Sequence, residues 1–282
     1  MRILTKLLAL LLALLLMVPA AMAADGAENT LRGYNKKTGY VYVTLGTFPQ
    51  TAEGGVEPIV WRVLSVKDDR AYLLSEYVLL AHRIHGDYKE YADKKTGFNG
   101  EFSKTELSQY LNGEFAGNFT EGELSLLTPH EKMGLFFLVS AADLKDKNLG
   151  FGTNESRKGW ATEYAKANGL FVYLRKFGSH SPYWTCDQST SDARHARCTK
   201  DQGELGRINV ITEDLGMRPA CYLDMTKVAI AGGSGTLEDP YVLRTEAAAP
   251  VEPATENEAE QAAPCCEPGN CTCCASCTCG CQ

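Results

Sequence analysis

A single break in composition sets what this chain can fold. Residues 246–264 read "EAAAPVEPATENEAEQAAP", Ala, Glu and Pro with Val251 as the only large aliphatic side chain. Such a stretch buries nothing, and its like charges hold it open, so it is expected as an extended acidic linker. Every residue able to build a core therefore lies before it. Residues 34–245 are long enough for one domain with its own core, and they show no solenoid-type repeat. Beyond the linker, residues 265–282 read "CCEPGNCTCCASCTCGCQ", which holds eight of the chain's 11 cysteines.

The N-terminus, "MRILTKLLALLLALLLMVPAAMAADG", places Arg2 and Lys6 ahead of an apolar run and ends in Ala21-Met22-Ala23. That order is a secretory signal, residues 1–23, with a small-residue cleavage site. The apolar run is shorter than the roughly 20 residues a membrane-spanning helix needs. Ala24 and Asp25, not a cysteine, follow the cleavage site, so the pattern gives no lipid anchor. The expectation is a secreted or cell-surface protein with no stable membrane insertion after cleavage.

The formal net charge of −7 comes mostly from the tail. Residues 246–282 carry six acids and no base, which leaves −1 for residues 1–245, and removing Arg2 and Lys6 with the signal leaves −3. The folded part is near neutral and has no basic run, which argues against a nucleic-acid partner.

Strand signals dominate the first third. "GYVYVTLGTF" (39–48), "PIVWRVLSV" (58–66) and "AYLLSEYVLL" (71–80) are rich in Val, Tyr, Leu and Trp, with "KDDR" (67–70) as a turn. Helix starts follow at Ser103/Glu106 and Thr120/Glu123, both spaced as capping boxes, with stops at Gly113 and Pro129. Ser140/Asp143 and a helix ending at Asn168-Gly169 come next, and "RINVI" (207–211) and "MRPACYLD" (217–224) return to strand. Strands, then helices, then strands predict an α+β fold with an antiparallel sheet and several short helices.

The ordered series "FPQ" (48–50), "PIVWRVL" (58–64), "YLLSE" (72–76), "LSQYLNGEF" (107–115), "FFLVSAAD" (136–143), "YWT" (183–185) and "GMRPACYLD" (216–224) resembles an uncharacterised domain family of secreted and surface proteins from Gram-positive gut bacteria. That family is distantly similar to the C-type-lectin-like fold shared with formylglycine-generating enzymes. The similarity implies that Gly216, Met217 and Arg218 stand where that fold has a terminal Gly-aromatic-Arg strand. It implies no activity. Calcium-binding lectins of that fold use Glu-Pro-Asn or Gln-Pro-Asp with Trp-Asn-Asp, triplets the folded part lacks. The oxidases use a closely spaced cysteine pair, whereas Cys186 and Cys198 stand twelve positions apart.

Chemistry-bearing residues are few. His82 and His85, with Asp87, have the spacing of metal ligands on one helix face, set against a plain solvated loop. Cys186 lies near His180, Asp187 and His195 and has the neighbours of a thiol nucleophile, but in an exported protein a Cys186–Cys198 disulfide closing a surface loop is the favoured reading. Cys221, inside an apolar strand, reads as a core residue. No cofactor is expected in the globular part.

The segment 179–206 shows no periodicity and holds Tyr183, Trp184, Arg194, His195 and Arg197, so it reads as a recognition loop on a rigid scaffold. The leading function is therefore a binding module for an extracellular glycan, peptide or cell-wall ligand. The alternatives are an extracellular enzyme using Cys186 or a histidine metal site, and a metal-scavenging protein. "GGSGTLEDPYVL" (232–243) reads as a closing hairpin of the kind found at the ends of surface modules.

In the tail, Cys265, Cys266, Cys271, Cys273, Cys274, Cys277, Cys279 and Cys281 make Cys-Cys, Cys-x-Cys and Cys-x-x-Cys pairs, resembling metallothioneins. Neighbouring thiolates of this kind converge on soft ions such as zinc or copper. Export favours disulfides instead, although vicinal pairs strain when bonded to each other. Both readings stay open at this level.

Overall fold

Asp68 and Asp69 both adopt positive φ, 50° and 57°, and this two-residue turn joins the antiparallel strands Val56–Lys67 and Arg70–Ser75. A turn with both central residues left-handed matches the twist of the strands it connects, which is why a polar Asp-Asp pair stands there. The protein is described by a computed structural model over residues 31–175 and 178–245; the signal segment, linker and cysteine-rich tail, with the zinc, copper and crosslink expectations placed on them, lie outside the described residues.

Among the described residues the strands are, in chain order, β1 Tyr42–Pro49, β2 Val56–Lys67, β3 Arg70–Ser75, β4 Tyr77–Val78, β5 Leu80–Ala81, β6 Leu127–Thr128, β7 Phe136–Leu138, β8 Trp160–Ala161, β9 Tyr173–Arg175, β10 Gly178–His180, β11 Tyr183–Gln188, β12 His195–Thr199, β13 Leu205–Asn209, β14 Gly216–Met217, β15 Pro219–Asp224, β16 Val228–Gly232 and β17 Tyr241–Thr245. Between them lie short helices, α1 Tyr88–Ala92, α2 Glu106–Tyr110, α3 Glu121–Ser125, α4 Asn154–Arg157 and α5 Glu163–Ala167. The fold is α+β.

The larger sheet runs β16-β17-β1-β2-β3-β15-β6, with β7 also pairing β15, and a second sheet runs β13-β12-β11-β14-β5. Most pairs are antiparallel, as the meander in the first third predicts. Three are parallel, β1 with β17, β11 with β14 and β4 with β8, so the sheets are mixed. The parallel pairs join segments far apart in sequence, which no local turn signal encodes. The hairpin β16–β17 closes the domain by laying its last strand against the first.

The core is one cluster centred on aromatics. Trp61 is fully buried, donates its indole N–H to the Leu45 carbonyl at 2.8 Å, and packs with Phe119 and Phe136, the latter packing in turn on Phe115. Gly46 sits where β1 bulges, with φ of +68°, and a Cβ there would lie 2.2 Å from the Phe119 ring. Any other residue would push that ring out of the core.

Helix starts follow their caps with local shifts. Thr120 and Glu123 form the expected capping box for α3. The Ser103/Glu106 box does not form: Thr105 caps α2 by accepting from the Ser108 N–H, and Ser103 instead donates to Glu101. Nor does Gly113 stop the helix, because the chain continues through a π turn, Leu111–Phe115, which keeps Leu111 and Phe115 on the buried face.

Candidate functional site

The polar side of α2 and its π continuation forms one wall of an open cleft of about 930 Å³. Glu106, Gln109, Tyr110, Gly113 and Glu114 recur at helical spacing there, opposite the buried Leu107, Leu111 and Phe115. Ala81 at the end of β5, with His82 and Arg83 after it, makes the second wall, and the turn at Glu213 and Asp214 with Asn168-Gly169 past α5 makes the rest. Backbone bonds set these pieces: His82 N–H donates to the Leu215 carbonyl at 2.9 Å, and Phe171 N–H donates to the Asp214 carbonyl at 2.9 Å.

The lining holds four carboxylates and one guanidinium. Arg83 bridges two of the carboxylates, Nε to Glu106 Oε2 at 2.8 Å and Nη1 to Glu213 Oε1 at 2.9 Å. Burial would raise the Glu106 carboxyl, but hydrogen bonds from Arg83 and the Gly86 backbone outweigh it and hold it below its ordinary value. Glu114 and Asp214 make no ion pair among the described residues. The Tyr110 ring packs on His82 with centroids 5.0 Å apart, and its hydroxyl is pushed up to about 12 by burial and then by the charge of Glu114. The cleft therefore presents a net negative, partly aromatic surface with two unneutralised carboxylates.

The two histidines with metal-ligand spacing do not share a helix. His82 and His85 lie on the extended chain between β5 and α1, and Asp87 is the N-cap of α1, accepting from Lys89 and Glu90 N–H. Their side chains diverge: His82 packs on Tyr110 in the cleft, whereas His85 is buried against Phe98, 3.4 Å from Glu90 and 3.9 Å from Glu106. No group of three potential metal ligands occurs among the described residues.

The expected recognition loop is a sheet. Residues 179–206 form β10, β11, β12 and part of β13, and the absence of visible periodicity reflects the burial of β11 on both faces at its start. Tyr183 and Trp184 are fully buried rather than presented to ligand. The Trp184 indole donates to the His82 carbonyl at 2.7 Å, and the Tyr183 hydroxyl donates to the Arg157 carbonyl at 2.8 Å. Arg194 and His195 are held at the β11–β12 turn by Asp192, at 2.9 and 3.1 Å. Arg197 shares the outer face of β12 with His195, opposite Arg207. The five residues are thus split between core and surface and do not converge on one site.

The Cys186–Cys198 disulfide is not formed; both are free thiols. The register explains this, since Cys198 stands opposite Trp184 and a bulge follows before Gln188 pairs with Ala196, leaving Cys186 out of step. Burial raises the Cys186 thiol far above its ordinary range, and the charges of Asp187 and Asp143 push it the same way. A nucleophilic thiol needs the reverse, a cation or base beside it. Cys221 is a fully buried core residue, as its strand context predicts.

Comparison with known protein families, with curated proteins and with solved structures finds no match to this chain. Among the described residues, no helix is long and apolar enough to cross a membrane.

Proposed function

We propose that the chain is a secreted or cell-surface binding module whose acidic cleft takes a basic group of an extracellular peptide. One observation carries this reading. Glu114 and Asp214 line an open cleft without a cationic partner, while Arg83 is already neutralised by Glu106 and Glu213. A ligand ammonium or guanidinium would offset part of the uncompensated negative charge there. The ordered motifs resembling secreted and surface modules support the same reading, as does the secretory signal. Catalysis at Cys186 lacks such support, because that thiol is held neutral.

The test is calorimetric titration of the full chain with a lysine-containing tetrapeptide and with its norleucine counterpart. The lysine peptide is expected to bind at least about tenfold more tightly, in a salt-sensitive manner. Combining Glu114→Gln with Asp214→Asn is expected to remove that difference. Equal affinity for the two peptides, or binding unchanged in the double variant, would overturn the reading.

The tail is proposed to bind zinc or copper through the thiolates of Cys265, Cys266, Cys271, Cys273, Cys274, Cys277, Cys279 and Cys281, supported by the density of Cys-x-Cys and Cys-x-x-Cys pairs. Anaerobic purification followed by metal and free-thiol analysis decides it. A full-length protein with no more metal than a chain ending at residue 245, and with its tail thiols blocked, would show a crosslink instead.

A further inference from the structure

A second cleft, of about 620 Å³, lies away from the acidic one, between the N-terminal segment leading into β1 and the loop that precedes β17. Three tyrosines, Tyr40, Tyr42 and Tyr241, line it, and Arg32 and Glu238 supply one charge of each sign. The acidic cleft was read as a site for charge. Here the charges offset each other, and aromatic rings dominate the lining.

The tyrosines are held in place before any ligand arrives. The Tyr40 hydroxyl donates to the Leu149 carbonyl at 2.9 Å, Tyr34 packs on it at 4.8 Å, and the Arg62 guanidinium lies 4.7 Å from its ring centre. Tyr42 is fixed through its backbone, whose N–H donates to the Gly235 carbonyl at 3.0 Å. Gly235 has φ of +76°, and a Cβ on it would lie 2.3 Å from the Tyr241 ring. The loop backbone thus lies directly on that tyrosine, an approach only glycine allows. The hydroxyls of Tyr42 and Tyr241 make no hydrogen bond within the described residues. The Tyr42 hydroxyl, like any phenol at neutral pH, is protonated and able to donate, and burial followed by the charge of Glu76 extends that into the alkaline range.

We propose that this tyrosine-lined cleft binds a neutral oligosaccharide, with a pyranose ring packed on Tyr42 or Tyr241 and its hydroxyls bonded to the free phenols, Arg32 and Glu238. Pyranose faces carry C–H groups that pack on aromatic rings, and their rims carry paired donors and acceptors. Tyrosine meets both needs at low conformational cost. A nucleotide would also stack, but its phosphates would find a single arginine offset by a glutamate. An apolar ligand would leave the hydroxyls of Tyr42 and Tyr241 without a partner.

The experiment titrates the full chain with chitotetraose, cellotetraose and maltotetraose, read by calorimetry and by amide chemical shifts. At least one sugar is expected to bind saturably and to shift the Tyr42 and Gly235 amides. Tyr42→Ala is expected to weaken binding about tenfold or more, Tyr42→Phe less, and the exposed Glu238→Gln several-fold without loss of fold. Glu114→Gln with Asp214→Asn is expected to leave sugar binding unchanged, which separates this site from the acidic cleft. The proposal is overturned if none of the three sugars shifts those amides, or if binding survives both Tyr42→Ala and Glu238→Gln.

Discussion

Arg218 clasps the backbone on either side of Glu76: its Nε donates to the Ser75 carbonyl at 2.8 Å and its Nη2 to the Glu76 carbonyl at 3.0 Å. The Glu76 carboxylate meanwhile receives Arg62 through two bonds of 2.6 Å, all within the core. The place matters. Ser75 ends β3 just before the chain enters β4, and Arg218 is the single residue between β14 and β15. One side chain therefore ties together the two points where the chain passes between strand systems.

Removing the Arg218 side chain orphans two carbonyls and leaves Tyr183 uncovered, its ring centre 5.0 Å from the guanidinium. Arg218→Ala is expected to destabilise the domain by about 2–4 kcal/mol, read from urea unfolding midpoints. Glu76→Gln is expected to cost about 3–5 kcal/mol, because it leaves two guanidiniums buried near each other without the carboxylate. A change below about 0.5 kcal/mol in either variant would refute the role given to the cluster.

Glu123 serves two structures at once. Its Oε2 accepts from the Thr120 N–H at 2.8 Å in the α3 capping box, and its Oε1 accepts from the Gly46 N–H at 2.8 Å in the β1 bulge. Thr120→Ala removes the cap alone and is expected to cost about 1 kcal/mol. Glu123→Ala removes both contacts and is expected to cost about 2 kcal/mol or more. Equal losses in the two variants would show that the bond to Gly46 contributes nothing.

Strand content was legible wherever side chains carried it. The stretches 39–48, 58–66 and 217–224 each contain strand, over residues 42–48, 58–66 and 219–224, because Val, Ile, Tyr and Trp alternate or cluster there. Residues 179–206 were opaque for the opposite reason, since Tyr183, Trp184 and Thr185 are buried consecutively and erase the period-two signal. The acidic cleft had a signal, the polar stripe Glu106, Gln109, Tyr110, Gly113 and Glu114 opposite an apolar one. Its second wall, at Glu213 and Asp214, arrives through tertiary pairing that spacing does not encode. Arg218 interrupts the apolar stretch "MRPACYL", which points to burial, but its partners are backbone carbonyls, which have no sequence signature.

Both clefts predict an alkaline limit to stability. Burial, followed by the charge of Glu76 in one case and Glu114 in the other, pushes the hydroxyls of Tyr42 and Tyr110 up to about 12 from 10.0. Between those values the unfolded chain has released protons that the folded chain keeps. Stability from these groups is therefore complete below pH 10 and falls as pH rises toward 12. Absorbance at the phenolate band is expected to show late titration in the native protein, with Tyr42→Phe and Tyr110→Phe each removing part of it. Native tyrosines that all titrate near their ordinary value would contradict the burial assigned to them.

The thiols of the folded part offer the sharpest test of the choice between binding module and enzyme. Burial raises Cys198 to about 12 despite the opposing charges of Lys200 and Arg197, and it raises Cys186 and Cys221 further. Thiolate is the reactive form, so at neutral pH all three are expected to resist iodoacetamide in the native protein and to react on unfolding. Peptide-resolved mass spectrometry keeps them separate from the tail cysteines in the full chain. The same measurement reads the disulfide, because a Cys186–Cys198 bond would keep both peptides unlabelled after unfolding until a reductant is added. Rapid native labelling confined to Cys186 would mean an activated thiol, and with it the enzymatic reading that the half-buried carboxylates Asp143 and Asp187 argue against.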